Sequence, residues 1–419
     1  MLLPASLDRN SCAALDAADP LARFRDRFLD DGSTIYLDGN SMGRLPKDAV
    51  PRLQEMAEHE WGTILVRGWT DSGWMDSPLR IGDRIGALIG AAPGEVLISD
   101  STSVNLFKLI VGVLRARPSR RVVVTEASNF PTDLYIAQGA VAMLGCELRA
   151  VERAKLVDAL GADTALLLLT HVDFRSGERH DMAALTAAAH AAGALALWDL
   201  SHSAGAVEIQ LQRDGADLAV GCGYKYLNGG PGSPAFLHVA TALQDELRNP
   251  IQGWLGHDTP FTFEGGYRPA AGIRGWMVGS PPVLAIGALA VGIDLHLEAG
   301  AERVGEKAAM LTEVFIRLTR ERLVPLGFTI ATPADPQRRG AQVSLGHADG
   351  LAVVRAVADR GVIGDFRPPD LCRFGLAPLY TRFVDVWDAI ERIAGVVESG
   401  EHRLPAYQQD GDPGVRASA

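Results

Sequence analysis

Lys225 stands in GCGYKYLNGGPGS (221–233), directly after the apolar run GADLAV (215–220). A lysine at the end of a buried strand costs desolvation energy unless it is paired or put to chemical use. Its amine is a nucleophile toward carbonyl carbon. Comparable polar groups follow other apolar runs. EVLISD is followed by Ser101, Thr102 and Ser103, and RVVVTEA by Ser128, Asn129, Phe130, Pro131, Thr132 and Asp133. TALLLLTHV ends on Thr170 and His171, and ALALWDLSHS on Asp199, Ser201 and His202. Taken singly, each has a plain structural reading: STS as a helix cap, Asp199 as a turn residue, His202 as a satisfied core histidine, Phe130 as core, Lys225 as a snorkelling side chain. Brought to one sheet edge, they fit one cofactor, pyridoxal 5′-phosphate. Lys225 would hold it as a Schiff base, Asp199 would keep the pyridine nitrogen protonated, and Phe130 would stack on the ring. The helix start with its hydroxyls would take the phosphate.

A metal site competes for some of these residues. His171, Asp173, His180 and Asp181 are close in sequence, and Asp199 and His202 add ligand atoms, but Arg175 and Arg179 sit among them and the spacing matches no familiar zinc or iron pattern. No metal is expected. The glycines at 229–232 close on no G-K-[ST] and make no P-loop. Together with Pro231 they read as a turn letting the backbone pass close to a ligand.

The elements that must position these groups can be read from periodicity. Strands are predicted over 95–100, 121–127, 164–172, 194–203 and 216–225, and helices over 103–117, 132–144 and 181–193, the first capped by Ser101, Thr102 or Ser103. Near-continuous apolar strands alternating with helices predict an α/β fold whose mostly parallel sheet is covered on both faces. Ligands of such sheets bind beyond the carboxyl ends of the strands. From about residue 300 the texture changes to a long amphipathic helix (301–323) and a smaller α+β domain. The expected division is an N-terminal segment (1–50) packing on that domain or on a partner subunit, a large cofactor domain (51–300), a small domain (301–405) and a frayed polar tail (406–419).

The chain has 419 residues, a net charge of −11, 47% hydrophobic and 22% charged residues, an ordinary globular balance. The acidic surface disfavours nucleic acid and anionic membranes as partners. No apolar window approaches the roughly 20 residues of a membrane span. Cys12, Cys146, Cys222 and Cys372 are scattered, as in a reducing cytoplasm, and a cytoplasmic location is expected.

With these residues assembled, the chain resembles kynureninase, a pyridoxal-phosphate enzyme of the aspartate-aminotransferase fold (fold type I). The resemblance runs over residues 10–400 and rests on IYLDGNSMG (35–43), STSVNLFK (101–108), SNFPTDLYIAQG (128–139), LTHVDFRSGERHDM (169–182), WDLSHSAGAV (198–207), GCGYKYLNGGPGSPAF (221–236), GWLGH (253–257), RGVIGDFR (360–367) and RFGLAPLYTRF (373–383). The FPTD, WDL-x-H-S-x-G and YKYLNGGPGS segments in this order are specific; the last alone would indicate only fold type I.

The resemblance implies a seven-stranded, mostly parallel sheet in the large domain and hydrolysis of L-kynurenine to anthranilate and L-alanine, with 3-hydroxykynurenine as the variant substrate. It implies cofactor contacts from Thr102, Ser103, Phe130, Pro131, Thr132, Asp133, Asp199, His202, Tyr224 and Lys225. Trp254 and Ser280 would reach the cofactor from a neighbouring subunit, hence a homodimer. Ser280 departs from the residue of some relatives. Lys225, Tyr224, Asp199 and Asp133 would carry catalysis, with Tyr224 as the acid that protonates the Cβ carbanion. Arg373 would clamp the substrate α-carboxylate, with Asn40 and Ser41 beside it, and Trp69 would line the aryl pocket or else be structural. Trp61 and Trp74 are expected to be packing residues. The alternatives are another fold-type-I enzyme, such as a class V aminotransferase or a cysteine desulfurase, and a non-catalytic pyridoxal-phosphate-binding protein. A desulfurase needs a mobile-loop cysteine, whereas Cys372, just before Arg373 and FGLAPLY, reads as strand; a non-catalytic protein is expected to lack Lys225, Asp199 or Arg373, all of which are present.

Overall fold

The computed structural model describes residues 3–4, 6–263 and 265–408; most of the polar tail expected at 406–419 lies outside them. Seven strands form the large sheet: β1 (Val96–Ile98), β2 (Val122–Glu126), β3 (Glu147–Val151), β4 (Thr164–Thr170), β5 (Leu195–Asp199), β6 (Leu218–Cys222) and β7 (Ala235–Val239), in the order β1-β7-β6-β5-β4-β2-β3. All neighbours run parallel except β7, which is antiparallel to both β6 and β1. Strands β4 to β7 are buried along their whole length, which is why they appear in the sequence as unbroken apolar runs. Two apolar clusters cover the two faces of the sheet. Ile81, Ile85, Trp198 and Leu289 belong to one, and Leu106, Leu109, Leu168 and Trp276 to the other.

The register sets the site. Thr170 pairs with Asp199 and Asp199 with Val220, so β4, β5 and β6 reach the same sheet edge together. Helix α1 (Thr102–Ala116) and helix α2 (Pro131–Leu144) also start at this edge, following β1 and β2. Ser101 proves to be the N-cap of α1, its Oγ accepting from the Val104 amide at 3.4 Å, which leaves Thr102 and Ser103 in the first turn.

The smaller unit carries a four-stranded antiparallel sheet of β8 (Thr329–Ile330), β9 (Gln342–Gly346), β10 (Asp365–Arg367) and β11 (Leu371–Gly375), in the order β10-β11-β9-β8. Arg373 on β11 faces Ser344 on one side and Asp365 on the other. The helices Ala301–Arg322 and Phe383–Glu398 share a core with this sheet through Phe315, Phe374 and Ile390. The N-terminal helix Arg9–Ala17 adds Cys12 and Leu15 to that core, and its Asp16 accepts the backbone amides of Phe383 and Val384 at 2.7 and 3.0 Å. Among the described residues no single helix is long and apolar enough to cross a membrane; the apolar stretch at 282–295 forms the core-facing helix Val283–Ala299.

Candidate active site

Lys225 leaves the end of β6 in a tight turn whose glycines have a local cause. A Cβ on Gly223 would lie 2.4 Å from Ser233 Oγ and 2.6 Å from the Pro234 carbonyl, and one on Gly229 would lie 2.8 Å from the Gly223 carbonyl. These glycines let the turn fold back onto itself. The N-terminal segment locks the turn from outside. Gly43 donates its amide to the Tyr224 carbonyl at 2.8 Å, and a Cβ there would stand 2.3 Å from the Lys225 carbonyl.

The amine so placed opens on a cavity of about 280 Å³ lined by the ends of β4, β5 and β6 and the starts of α1 and α2. Lys225 Nζ lies 3.0 Å from His202 Nε2 and 5.8 Å from the ring centres of both Phe130 and Tyr224. At one end of the cavity stand two buried carboxyl groups, Asp133 and Asp199. Ser201 holds Asp199 Oδ1 with its amide (2.8 Å) and its hydroxyl (2.6 Å), and Thr170 Oγ1 donates to Asp133 Oδ2 at 3.1 Å. Burial pushes both acids above the ordinary carboxylate range, Asp133 strongly, and for Asp133 the neighbouring Asp199 adds to the effect. A cationic N–H placed there would relieve the repulsion. Elsewhere the cavity wall is the first turn of α1 with Thr102 and Ser103, a helix start suited to an anion. Phe130 forms a side wall, backed edge-on by Phe174 at 5.1 Å. Cation-seeking carboxyls, an anion-seeking helix start, an amine and an aromatic wall in one cavity fit pyridoxal 5′-phosphate. Thr132 also lines this cavity, and Pro131 opens α2 beside it.

The α1 turn rests on a pair that the sequence reading passed over. Lys108 is fully buried, and its Nζ donates to Ser99 Oγ and to Asp100 Oδ2, each at 2.9 Å. Asp100 lies in the left-handed region (φ 46°), immediately before the cap Ser101. The signal was a lone lysine in the apolar stretch LFKLIVGVL.

Arg373 projects from the smaller sheet and is 1% exposed. Its Nε donates to Asp365 Oδ1 at 2.8 Å, its Nη1 to the Phe174 carbonyl at 2.7 Å, and its Nη2 to Ser41 Oγ at 2.9 Å and to Asp365 Oδ2. Ser41 Oγ donates in turn to Asp365 Oδ2 at 2.8 Å, and Arg367 pairs with the same oxygen at 2.8 Å. Asn40 is completely buried beside this network, and neither atom of its amide has a partner among the described residues. Asp38, also near, is pushed up to about 7 by burial and by the charge of Asp365. Phe174 joins the two halves of the site, since its carbonyl meets Arg373 while its ring backs Phe130. Neither Phe174 nor Asp365 stood out in the sequence, because a carbonyl acceptor and a cross-strand acid carry no motif.

Trp69, Trp254 and Ser280 do not line the Lys225 cavity of their own chain. Trp69 meets Trp254 edge-on at 6.4 Å and Trp74 at 5.9 Å, and Trp254 meets Phe261 at 5.8 Å. Ser280 is exposed. Trp74 donates from Nε1 to Glu60 at 2.6 Å, whereas Trp61, expected to be a packing residue, is 61% exposed on this chain.

Residues 304–393 match the family model of the kynureninase C-terminal domain. The chain is 46% identical to kynureninase of Pseudomonas fluorescens over 93% of its own length and 95% of that protein's. It is 45% identical to kynureninase of Burkholderia pseudomallei (strain K96243) over 95% and 98%. Among solved structures, the apo cysteine desulfurase of Thermococcus onnurineus NA1 superposes with a TM-score of 0.76 at 18% identity, covering 90% of this chain and 98% of that one. A mutant of the enzyme C-DES, with glycine covalently linked to its pyridoxal-phosphate cofactor, gives 0.77 at 17% identity, over 88% and 98%. At such identities the likeness establishes the fold, that of fold-type-I pyridoxal-phosphate enzymes.

Proposed function

The chain belongs to the kynureninase family, and we propose that it hydrolyses L-kynurenine to anthranilate and L-alanine, with Lys225 as the residue that carries pyridoxal 5′-phosphate. The observation that carries the reading is the convergence of Lys225, the Asp133–Asp199 pair and the α1 start on one cavity, bordered by the Phe174 carbonyl that Arg373 grips. When bound, the cofactor supplies the electron sink that makes loss of the Cα proton and scission of Cβ–Cγ accessible. The protein supplies the rest. Asp199, backed by Asp133, offers negative charge to the ring nitrogen, and Thr102 and Ser103 anchor the phosphate. Arg373, Ser41 and Asn40 hold the substrate α-carboxylate, an orientation task suited to a guanidinium fork. Lys225 Nζ takes the Cα proton, water adds to the γ-carbonyl, and Tyr224 Oη returns a proton to Cβ. Burial raises the Tyr224 phenol above its ordinary range, so it enters the reaction protonated, as an acid must.

A desulfurase reading is disfavoured by Cys372. It lies buried within β11 and its thiol is pushed up to about 12, the opposite of a mobile, nucleophilic sulfur carrier. The exposed Trp61, Leu65, Val66, Trp254, Phe261 and Phe263 support a homodimer in which Trp254 and Ser280 serve the neighbouring subunit's cofactor. Trp69, packed on Trp254, would then line the aryl pocket of that shared site. The same reading keeps the division into 1–50, 51–300 and 301–405, and a cytoplasmic location. The test is incubation of the purified, cofactor-loaded chain with L-kynurenine, following anthranilate fluorescence and alanine. Equimolar appearance of both is expected, and no anthranilate from a chain that is fully loaded would overturn the activity.

A further inference from the structure

Gln342, on β9 of the smaller sheet, is 1% exposed and makes three contacts. Its Nε2 donates to the carbonyls of Phe174 (3.0 Å) and Asp173 (3.4 Å), and its Oε1 lies 2.9 Å from His202 Nδ1. The segment bearing those carbonyls is braced. Asp173 Oδ1 accepts the amides of Arg175 (3.2 Å) and Ser176 (2.6 Å) and the Ser176 hydroxyl (2.6 Å), and the Phe174 carbonyl also receives Arg373 Nη1. Turning the Gln342 amide over would set its oxygen against two carbonyl oxygens, so the orientation follows from the network. With Oε1 facing the ring, Nδ1 must carry hydrogen. Burial, then the charge on Lys225, holds His202 well below the ordinary histidine range, so the ring carries one hydrogen only. Nε2 is therefore a lone pair, 3.0 Å from Lys225 Nζ, and can only accept.

We propose that Gln342 is a positioning residue that locks His202 in its Nδ1–H tautomer, so that the amine of Lys225 always meets an acceptor. Its catalytic meaning rests on the reading of Lys225 as the cofactor lysine, but the lock itself does not. Through it a strand of the smaller domain reaches the reactive amine without touching it. The shared Phe174 carbonyl also ties that strand to the arginine assigned to the substrate carboxylate.

The test uses the full chain labelled with 15N-histidine, with and without pyridoxal phosphate, and His202→Asn to assign the ring signals. The wild type should show a pyrrole-type Nδ1 and a pyridine-type Nε2. In Gln342→Leu, hydrogen should shift to Nε2, and the visible band formed on mixing the unloaded chain with pyridoxal phosphate should appear about tenfold more slowly, the worth of one hydrogen bond. Ser344→Ala, which removes the neighbouring bond to the Arg175 carbonyl, should leave the tautomer unchanged. If the leucine variant does not fold, Gln342→Asn, which withdraws the acceptor by one methylene, makes the same comparison. A wild-type tautomer and rate in Gln342→Leu or Gln342→Asn would overturn the lock. A wild-type chain that develops no visible band would overturn the cofactor reading instead, and the nitrogen shifts would still decide the lock.

Discussion

Replacing Arg373 by lysine keeps a positive charge in the clamp and removes the fork. A guanidinium has five N–H groups. In this structure Nε is committed to Asp365, one Nη1 hydrogen to the Phe174 carbonyl, and the two on Nη2 to Asp365 and Ser41. One Nη1 hydrogen is left for an incoming carboxylate, and a second bond must come by exchange with Ser41. The substrate thus gains one new charge-assisted hydrogen bond, worth about 1.5–3 kcal/mol, rather than two. Loss of that bond predicts a KM for L-kynurenine about 10- to 150-fold higher in Arg373→Lys, with a smaller change in kcat. Arg373→Ala additionally strips Asp365 of its main partner. It keeps Arg367 at 2.8 Å, so the stability loss should fall toward the lower end of the roughly 3–5 kcal/mol seen on breaking buried pairs. Steady-state kinetics on both variants, with urea unfolding to separate binding from stability, make the measurement. A lysine variant within threefold of wild-type KM would refute the clamp.

Lys108→Met should lower stability by about 1–3 kcal/mol, because Asp100 is partly exposed and can rehydrate, and should weaken pyridoxal phosphate binding by loosening the α1 start; unchanged urea midpoint and affinity would remove Lys108 from that task. Asp133 titrates above its unfolded value, so its contribution to the unloaded chain is full below that value and is lost as pH rises through the folded pKa. Asp133→Asn should therefore raise the melting temperature of the unloaded chain at neutral pH while weakening cofactor binding, and a lower melting temperature would contradict the repulsion. Trp69→His should shift the kcat/KM ratio toward 3-hydroxykynurenine; an unchanged ratio would leave Trp69 a structural residue.

The alternation of β4, α2 or β5 with their neighbours was legible because strands buried on both faces are apolar throughout. β3 was not, since its half-exposed ELRAV pairs only with β2 at the sheet edge. β7 was hidden behind its Gly- and Pro-rich approach, GGPGSP. Residues at strand ends could be collected because a parallel sheet delivers them to one edge. Asp365 and Gln342 could not, because their roles arise from cross-strand register and from docking of the smaller sheet, which no local pattern records. Of the glycines around Lys225, Gly223 and Gly229 allow close approach to Ser233 and Pro234 of the same turn, whereas Gly230 and Gly232 supply positive φ (81° and 74°) with open space beside them.

Lys225 alone is expected to carry the cofactor. Borohydride reduction of the loaded chain, followed by digestion and mass mapping, should place a phosphopyridoxyl group on the peptide containing Lys225 and on no other. The label on Lys108, Lys307 or another lysine, or none on a chain active toward L-kynurenine, would contradict that assignment.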